Sequence, residues 1–580
     1  MTRIRLRPGV HYAPVDKGVF IGAASAKFVL TGPPALIRLL DACVPRLEDG
    51  CTEDDLLALV GGSEPGRAAV RHVLTAFRSH GLLLTPAQSG GPEPGADERA
   101  RFADALCQLE AESVDPYGAF ARLRAARVAL RGPVRPLLPA ARTLARCGFA
   151  EVVLLLSAED LAAARAMAEL HPAVTVLDSD SAEASALHVD AAVVLVALDA
   201  DGTATTSTVR ADTVVPVLVD DRAAVVGPVG GRAQEWARAA ELHARAEFWA
   251  QDRGPLSRAT GEALAVALAG QLLFRRIGGI ERPENAYAVY GPTIEAEPLT
   301  VDLSSDDATE EPVLGPVGEH SAPSVDESLS AVQAVAVAWQ GLVRLSTPDD
   351  LPQLPLALAA AESTVPGSPM VVRWAGDQAA AAVEAGLAGL RSAAAPGPDG
   401  AVGAAGLTRD RWLLDGALRV LARCAGEEAE LPYGSVSSAE ARRLWRALED
   451  FEGVPARVVV RRVEGVDWRL AEVIDRSTGQ VLSEGWGRDG GHATLAALGT
   501  ALARVQVRRA TAADLVGPQV ETSAINDVEA AELALLQQQV HDHAAKQGGR
   551  FLGRARTADL LLGRLGPWSG PVRLEGDHGC

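Results

Sequence analysis

EVVLLL, residues 151–156, places five apolar residues in a row behind one acid. An uninterrupted run of that length fits a strand covered on both faces, because a strand with one wet face alternates apolar and polar residues. Upstream, Arg127-Val128-Ala129-Leu130 leads into RGPVRPLLPAARTLARCGF (131–149), a loop-to-helix passage. Downstream come a helical pattern (AEDLAAARAMAEL, 158–170), AVTVLD (173–178), a second helix, then DAAVVLVAL (190–198) and TVVPVLVDD (213–221). Strand and helix in strict alternation predict an α/β region around a parallel sheet. DDRAAVVGPVGG (220–231) then precedes a long helical stretch, EWARAAELHARAEFW (235–249).

Two other regions flank this one. AQSGGPEPGA (87–96) is a linker by composition, and SSDDATEEPVLGPVGEHSAPS (304–324) is acidic, Pro-rich and expected not to pack. AAAPGPDGAVGAAG (393–406) reads as a surface insertion. The chain therefore divides into 1–86, 97–303 and 329–580, in keeping with about three or four domains for 580 residues.

In the first region RIRLRPGVHYAPV (3–15), GVFIG (18–22) and KFVLTG (27–32) are extended candidates. Pro33 and Pro34 open a helix, Thr52 with Asp55 forms a capping box before DDLLALV, and a third helix carries Val70, Val73, Leu74 and Phe77 on one face. Gly81 ends it and LLLT (82–85) follows as a wing strand, so the pattern predicts a winged helix-turn-helix. In the last region ARVVVRRVEG (456–465) and WRLAEVIDRSTGQVLSEGWG (468–487) alternate around Ser477-Thr478-Gly479, and TLAALGTALARVQ (494–506) reads as an amphipathic helix. An α+β domain is expected there.

The formal charge of −20 and a pI of about 5.1 disfavour phosphate backbones and anionic lipid as partners. No apolar run spans a bilayer and the start carries no signal-peptide core, so a cytoplasmic protein is expected. The six cysteines, Cys43, Cys51, Cys107, Cys147, Cys424 and Cys580, form no C-x-x-C pair and read as free thiols.

A nucleotide-binding α/β domain needs glycines between its first strand and helix so that backbone N–H groups reach a phosphate. Here Gly132 is followed by Pro133, Pro136 and Pro139, which have no N–H to give. The next strand ends at Ser157, where an acid would hold a ribose. His541 and His543 are a pair without a third ligand and read as a solvated helix face. The sequence thus assigns no catalytic residue, no cofactor and no metal.

Taken in order, these stretches resemble a known family. RLRPGVHY, GVFIG, KFVLTGPPALIRLLDAC, TEDDLLALV and HGLLL look like the precursor-peptide recognition element of ribosomal natural-product pathways. VPVLVDDRAAVVGPVGG (215–231) and ALAGQLLFRRIGGIERP (267–283) resemble the E1-like, Ocin-ThiF-type proteins of thiopeptide and related azole-forming (TOMM) clusters. The stretch GGRAQEWARAAELH (230–243) departs from that pattern, having no cysteine pair for zinc. VPARVVVRRVEGVDWRLAEVI with GWGRDGGHATLAALGTALARVQ resembles a degenerate YcaO-type domain without the carboxylates that hold Mg²⁺ and ATP.

The resemblance implies a degenerate E1-like domain that binds no ATP. It also implies a partner, a YcaO-type cyclodehydratase, that closes Cys, Ser or Thr side chains of a precursor peptide into azolines. The leader of that peptide would add as a strand beside Lys27, Phe28, Val29 and Leu30 and touch the third helix at Arg67, Val70, Arg71, Leu74 and Arg78. A homodimer is compatible with this reading. Two rivals follow from the same residues: an ATP-dependent E1-like adenylating enzyme, and a winged-helix transcription regulator using Arg67, Arg71, His72 and Arg78 on DNA.

Overall fold

Strand Glu151–Leu156 lies between two parallel neighbours, Arg127–Arg131 and Val174–Asp178. Its alternate residues enter two separate cores. Val152, Leu154 and Leu156 pack with Leu137, Leu144, Ala265 and Leu272 on one face, while Val153 and Leu155 pack with Ala192, Val194 and Ala239 on the other. Both faces are dry, which is why the run shows no polar alternation. The computed structural model describes residues 3–24, 26–85, 90–168, 172–198, 209–230, 233–304, 309–310, 312–315, 323–346, 351–394, 400–517, 520–556 and 558–576.

The full sheet has eight strands in the order 295–299, 286–290, 223–226, 210–219, 188–197, 127–131, 151–156, 174–178. The last five are mutually parallel, as the alternation predicts; the first three add antiparallel. Helices Val134–Arg146 and Arg258–Gly278 supply the cover on one face.

The N-terminal residues form a three-stranded antiparallel meander, His11–Val15, Gly18–Gly22 and Lys27–Thr31, followed by helices Ala35–Asp49, Glu53–Leu59 and Glu64–Ser79. The Thr52–Asp55 capping box is present. Leu83–Leu84 returns to pair with Arg5–Leu6.

The described residues fall into two compact units, 1–243 with 252–300, and 244–251 with 301–580. In the second, strands 426–431, 456–462, 469–475, 481–487 and 520–521 make a five-stranded sheet with helix Gly490–Thr511 against it. A Cβ on Gly487 would stand 2.2 Å from the backbone N of Ala493, so only glycine lets the helix approach this closely. Strands 343–346, 357–363 and 371–375 form a separate antiparallel sheet with helix Gln378–Ala393 on it.

Four expectations are corrected. Helix Gly490–Thr511 is not amphipathic: Ala493 to Arg504 is buried almost without break except at Leu495, because the sheet covers one side and Trp374 presses on Gly499 from another. Val402–Gly406 is no surface insertion but a strand paired with Trp568–Glu575, and Ala404 and Ala405 are buried. Described pieces of the acidic break do pack: Thr309–Glu310 pairs with Ala555–Arg556, and Leu314 lies in a core, while 305–308, 311 and 316–322 lie outside the described residues. Cys43, Cys51, Cys107 and Cys147 are free thiols, but Cys424 is disulfide-bonded; Cys580 lies outside the described residues.

Within the second unit Arg245 donates from both terminal nitrogens to the buried carboxylate of Asp559, at 3.0 and 2.7 Å, and also to the Gln340 carbonyl at 2.6 Å. A fork bonded this way tolerates burial because each charge has its partner. Asp559→Ala should therefore lower unfolding stability by about 3–5 kcal/mol, since it strands a buried cation. The urea midpoint of the full chain checks this.

Candidate functional site

Strand Lys27–Thr31 is paired on one side only, with Gly18–Gly22. Among the described residues no strand pairs its other edge. Inward alternation buries Leu30 and turns Val29 out, at 48 % exposed, directly opposite the exposed Phe20. Phe28 stacks on His80, with ring centroids 3.7 Å apart, and the His72 ring nitrogen lies 3.3 Å from the Thr31 carbonyl. These two contacts fix helix Glu64–Ser79 beside the strand.

At 100° per residue, Arg67, Arg71, Leu74 and Arg78 fall in a stripe roughly 60° wide on that helix. Arg71 faces Glu64 at 3.9 Å and Arg78 bonds Glu53 at 2.8 Å, all exposed, so these pairs exchange partners at little cost. The Arg67 Nε is buried without a hydrogen-bond partner. Val70 and Leu74 are 1 % exposed and belong, with Leu30, to the N-terminal core. Of the residues expected to touch a peptide, then, Lys27, Phe28, Val29, Arg67, Arg71 and Arg78 line an accessible strand and helix; Leu30, Val70 and Leu74 support them from beneath. His80 and Phe20 were not singled out from sequence, and His72 was named only for the DNA reading of the same helix. Strand alternation alone places Phe20 beside Val29.

In the central sheet, helix Val134–Arg146 starts where a phosphate would sit. The Val134 N–H is 3.3 Å from an Asp160 carboxylate oxygen and donates to it. Pro133 and Pro136 supply no N–H. A carboxylate thus occupies the positive end of the helix, and a second anion there would meet like charge. His541 and His543 bond the backbone carbonyls of Leu314 and Glu464. Among the described residues no group of three His, Cys, Asp or Glu side chains is placed to hold a metal.

The second unit holds a buried charge network that sequence reading missed. Asp415, fully buried, accepts from Arg391 Nε and Arg419 Nε at 2.9 Å each, from the Ala405 N–H at 2.9 Å, and from the Thr522 hydroxyl. Burial by itself would raise its pKa; the two guanidiniums outweigh burial and hold it at about 2. Glu384 moves the other way. Burial, then the nearby Glu521 carboxylate, push it up to about 7, against the pull of Arg391 and of the Asn526 amide that bonds it at 2.7 Å. Glu521 is held low, where Arg373 and Arg391 overcome burial. Spacing gave a signal: Glu384 and Arg391 are seven apart on one helix face, and Asp415 and Arg419 four apart.

No protein-family model and no curated protein matches the chain. Solved structures do. A heterocyclase, determined in complex with substrate and cofactor, aligns over 100% of this chain and 95% of its own, at 12% identity and a TM-score of 0.52. The chain shares the fold of that heterocyclase. Escherichia coli MccB is also similar in part. Its complexes with MccA-N7isoASN and with ATP each align over 51% of this chain and 96% of their own, at 12% identity, with TM-scores of 0.35 and 0.36.

Glu384 yields a pH prediction. Its folded pKa lies above its unfolded one, so the folded state binds the extra proton and stability falls as pH rises from about 4.5 to about 7. Glu384→Gln should remove that slope, making the variant gain on the wild type above pH 7 relative to pH 4.5. Denaturant midpoints across the range test it; parallel curves would show that Glu384 titrates alike in both states.

Proposed function

We propose that this chain is a non-catalytic, leader-peptide-binding partner of a YcaO-type azoline cyclodehydratase in thiopeptide-like natural-product biosynthesis. The open edge of strand Lys27–Thr31 beside an arginine-bearing helix carries the reading. An extended peptide completes such an edge with main-chain hydrogen bonds, and the neighbouring helix selects its side chains. Residues 1–86 would act as a winged-helix recognition module, 97–303 as a degenerate E1-like scaffold, and 329–580 as a degenerate YcaO-like domain. The carboxylate at the Val134–Arg146 helix terminus supports a role without a nucleotide phosphate at that place, and the fold shared with a heterocyclase supports a place beside heterocycle formation. No helix among the described residues is long and apolar enough to cross a membrane.

The mechanism is delivery. Holding the leader makes each meeting of core peptide and partner active site intramolecular, equivalent to roughly millimolar local substrate for a short flexible tether. Arg67, Arg71 and Arg78 would pair with acidic leader residues.

Titration of the full chain with leader and core peptides separately should give saturable binding to the leader only. Arg71→Glu should weaken leader affinity about tenfold with little change in stability, because the residue is exposed. Val29→Pro should weaken it further by removing a backbone donor from the strand. Both variants should lose the acceleration of precursor cyclisation by the partner enzyme. Variants that no longer bind leader yet sustain the wild-type cyclisation rate would refute delivery.

A further inference from the structure

The buried network opens onto a cavity of about 590 Å³ in the second unit, within the roughly 300–1,000 Å³ typical of small-molecule sites. Arg391, Arg419, Arg423 and Arg461 line it, with Glu484 as the opposing charge in the wall. The arginines do not stand equal. Arg419 is committed, through Nε to Asp415 and through Nη2 to the Thr522 hydroxyl at 3.0 Å, and Arg461 pairs with Glu472 at 2.8 Å. Arg391 binds Asp415 through Nε alone; its Nη1 is buried with no hydrogen-bond partner. Arg423 is exposed at the rim, 3.4 Å from the Gly400 carbonyl.

A buried guanidinium N–H left unpaired is costly, and a ligand acceptor removes that cost. Arginine forks suit the oxygens of phosphate, and several around one cavity favour a ligand with several charges. Glu484 opposes this; burial, then the neighbouring Glu472 carboxylate, raise its pKa. The wall sets four guanidinium groups against one carboxylate, so the protein itself supplies the positive charge that a divalent cation would otherwise bring to a phosphate.

We propose that this cavity binds a small oligophosphate anion of the pyrophosphate class, held by guanidinium groups and without a divalent cation. The site is independent of the peptide surface and of the blocked helix terminus at Val134.

Calorimetry on the full chain with pyrophosphate in the presence of EDTA tests it, with orthophosphate and citrate as comparison ligands. The expected result is saturable one-site binding of pyrophosphate, weaker binding of the other two, and no change on replacing EDTA by Mg²⁺. Arg423→Gln should reduce affinity about tenfold while leaving the ligand-free melting temperature unchanged, since the residue is exposed. Arg391→Lys, which keeps the charge but loses the fork, should also bind weakly. Arg71→Gln in the N-terminal region should bind as the wild type does. Absence of saturable binding, unchanged affinity in Arg423→Gln, a Mg²⁺ requirement, or citrate binding as tightly as pyrophosphate would each overturn the proposal.

Discussion

A carboxylate with no exposed surface holds the second unit together electrically. Asp415 ties helix Gln378–Ala393, through Arg391, to its own helix Arg409–Leu421, to the strand Val402–Gly406 and to Thr522. Burying three charges costs several kcal/mol per ion, offset only when lone pairs and protons find partners. Asp415 meets that condition, since its oxygens accept four bonds. The arginines do not meet it fully, because Arg391 keeps one nitrogen unpaired. The same geometry that stabilises the carboxylate leaves a guanidinium nitrogen without a partner on an arginine that lines the cavity.

The central sheet follows the opposite logic. Its parallel strands are dry on both faces, so any polar chemistry belongs at the strand ends. At the end of strand Arg127–Arg131 the available helix dipole is already met by Asp160, and prolines have replaced donors. What is left is a rigid two-faced scaffold whose strength is apolar burial. Such a region can position neighbouring surfaces without holding a nucleotide.

The α/β alternation, the N-terminal strands and helices, the Thr52 capping box and the strands either side of Ser477-Thr478-Gly479 were all legible. Each rests on local periodicity or on a short-range hydrogen bond. The misreadings have a common cause. TLAALGTALARVQ looked amphipathic because small and polar residues mark a wet face; here Gly499 and Thr500 face a second packing partner, Trp374. AVGAAG looked like a loop because glycine and alanine have weak strand preference, yet pairing with Trp568–Glu575 overrides it. The Asp415 network could not be assembled from sequence: its Asp415–Arg419 pair is local, but Thr522 lies 107 positions from Asp415. At the candidate peptide surface the helical stripe was readable, but not the depth at which Val70 and Leu74 sit.

The same N-terminal surface could be judged for DNA, and charge disfavours it. A phosphate backbone is bound by neutralising many phosphates at once, and affinity falls steeply with each cation already engaged. Two of the three arginines on helix Glu64–Ser79 have carboxylates beside them, Arg71 with Glu64 and Arg78 with Glu53, on a chain of net charge −20. A peptide asks for less. Its affinity would come mainly from main-chain bonds along an edge, which Lys27–Thr31 presents, and the exposed Val29–Phe20 pair would add apolar contact that a sugar-phosphate chain would not use. In the proposed complex, acidic side chains of the peptide would need only to exchange places with Glu64 or Glu53, one ion pair for another, so the arginines would select among peptides more than drive binding.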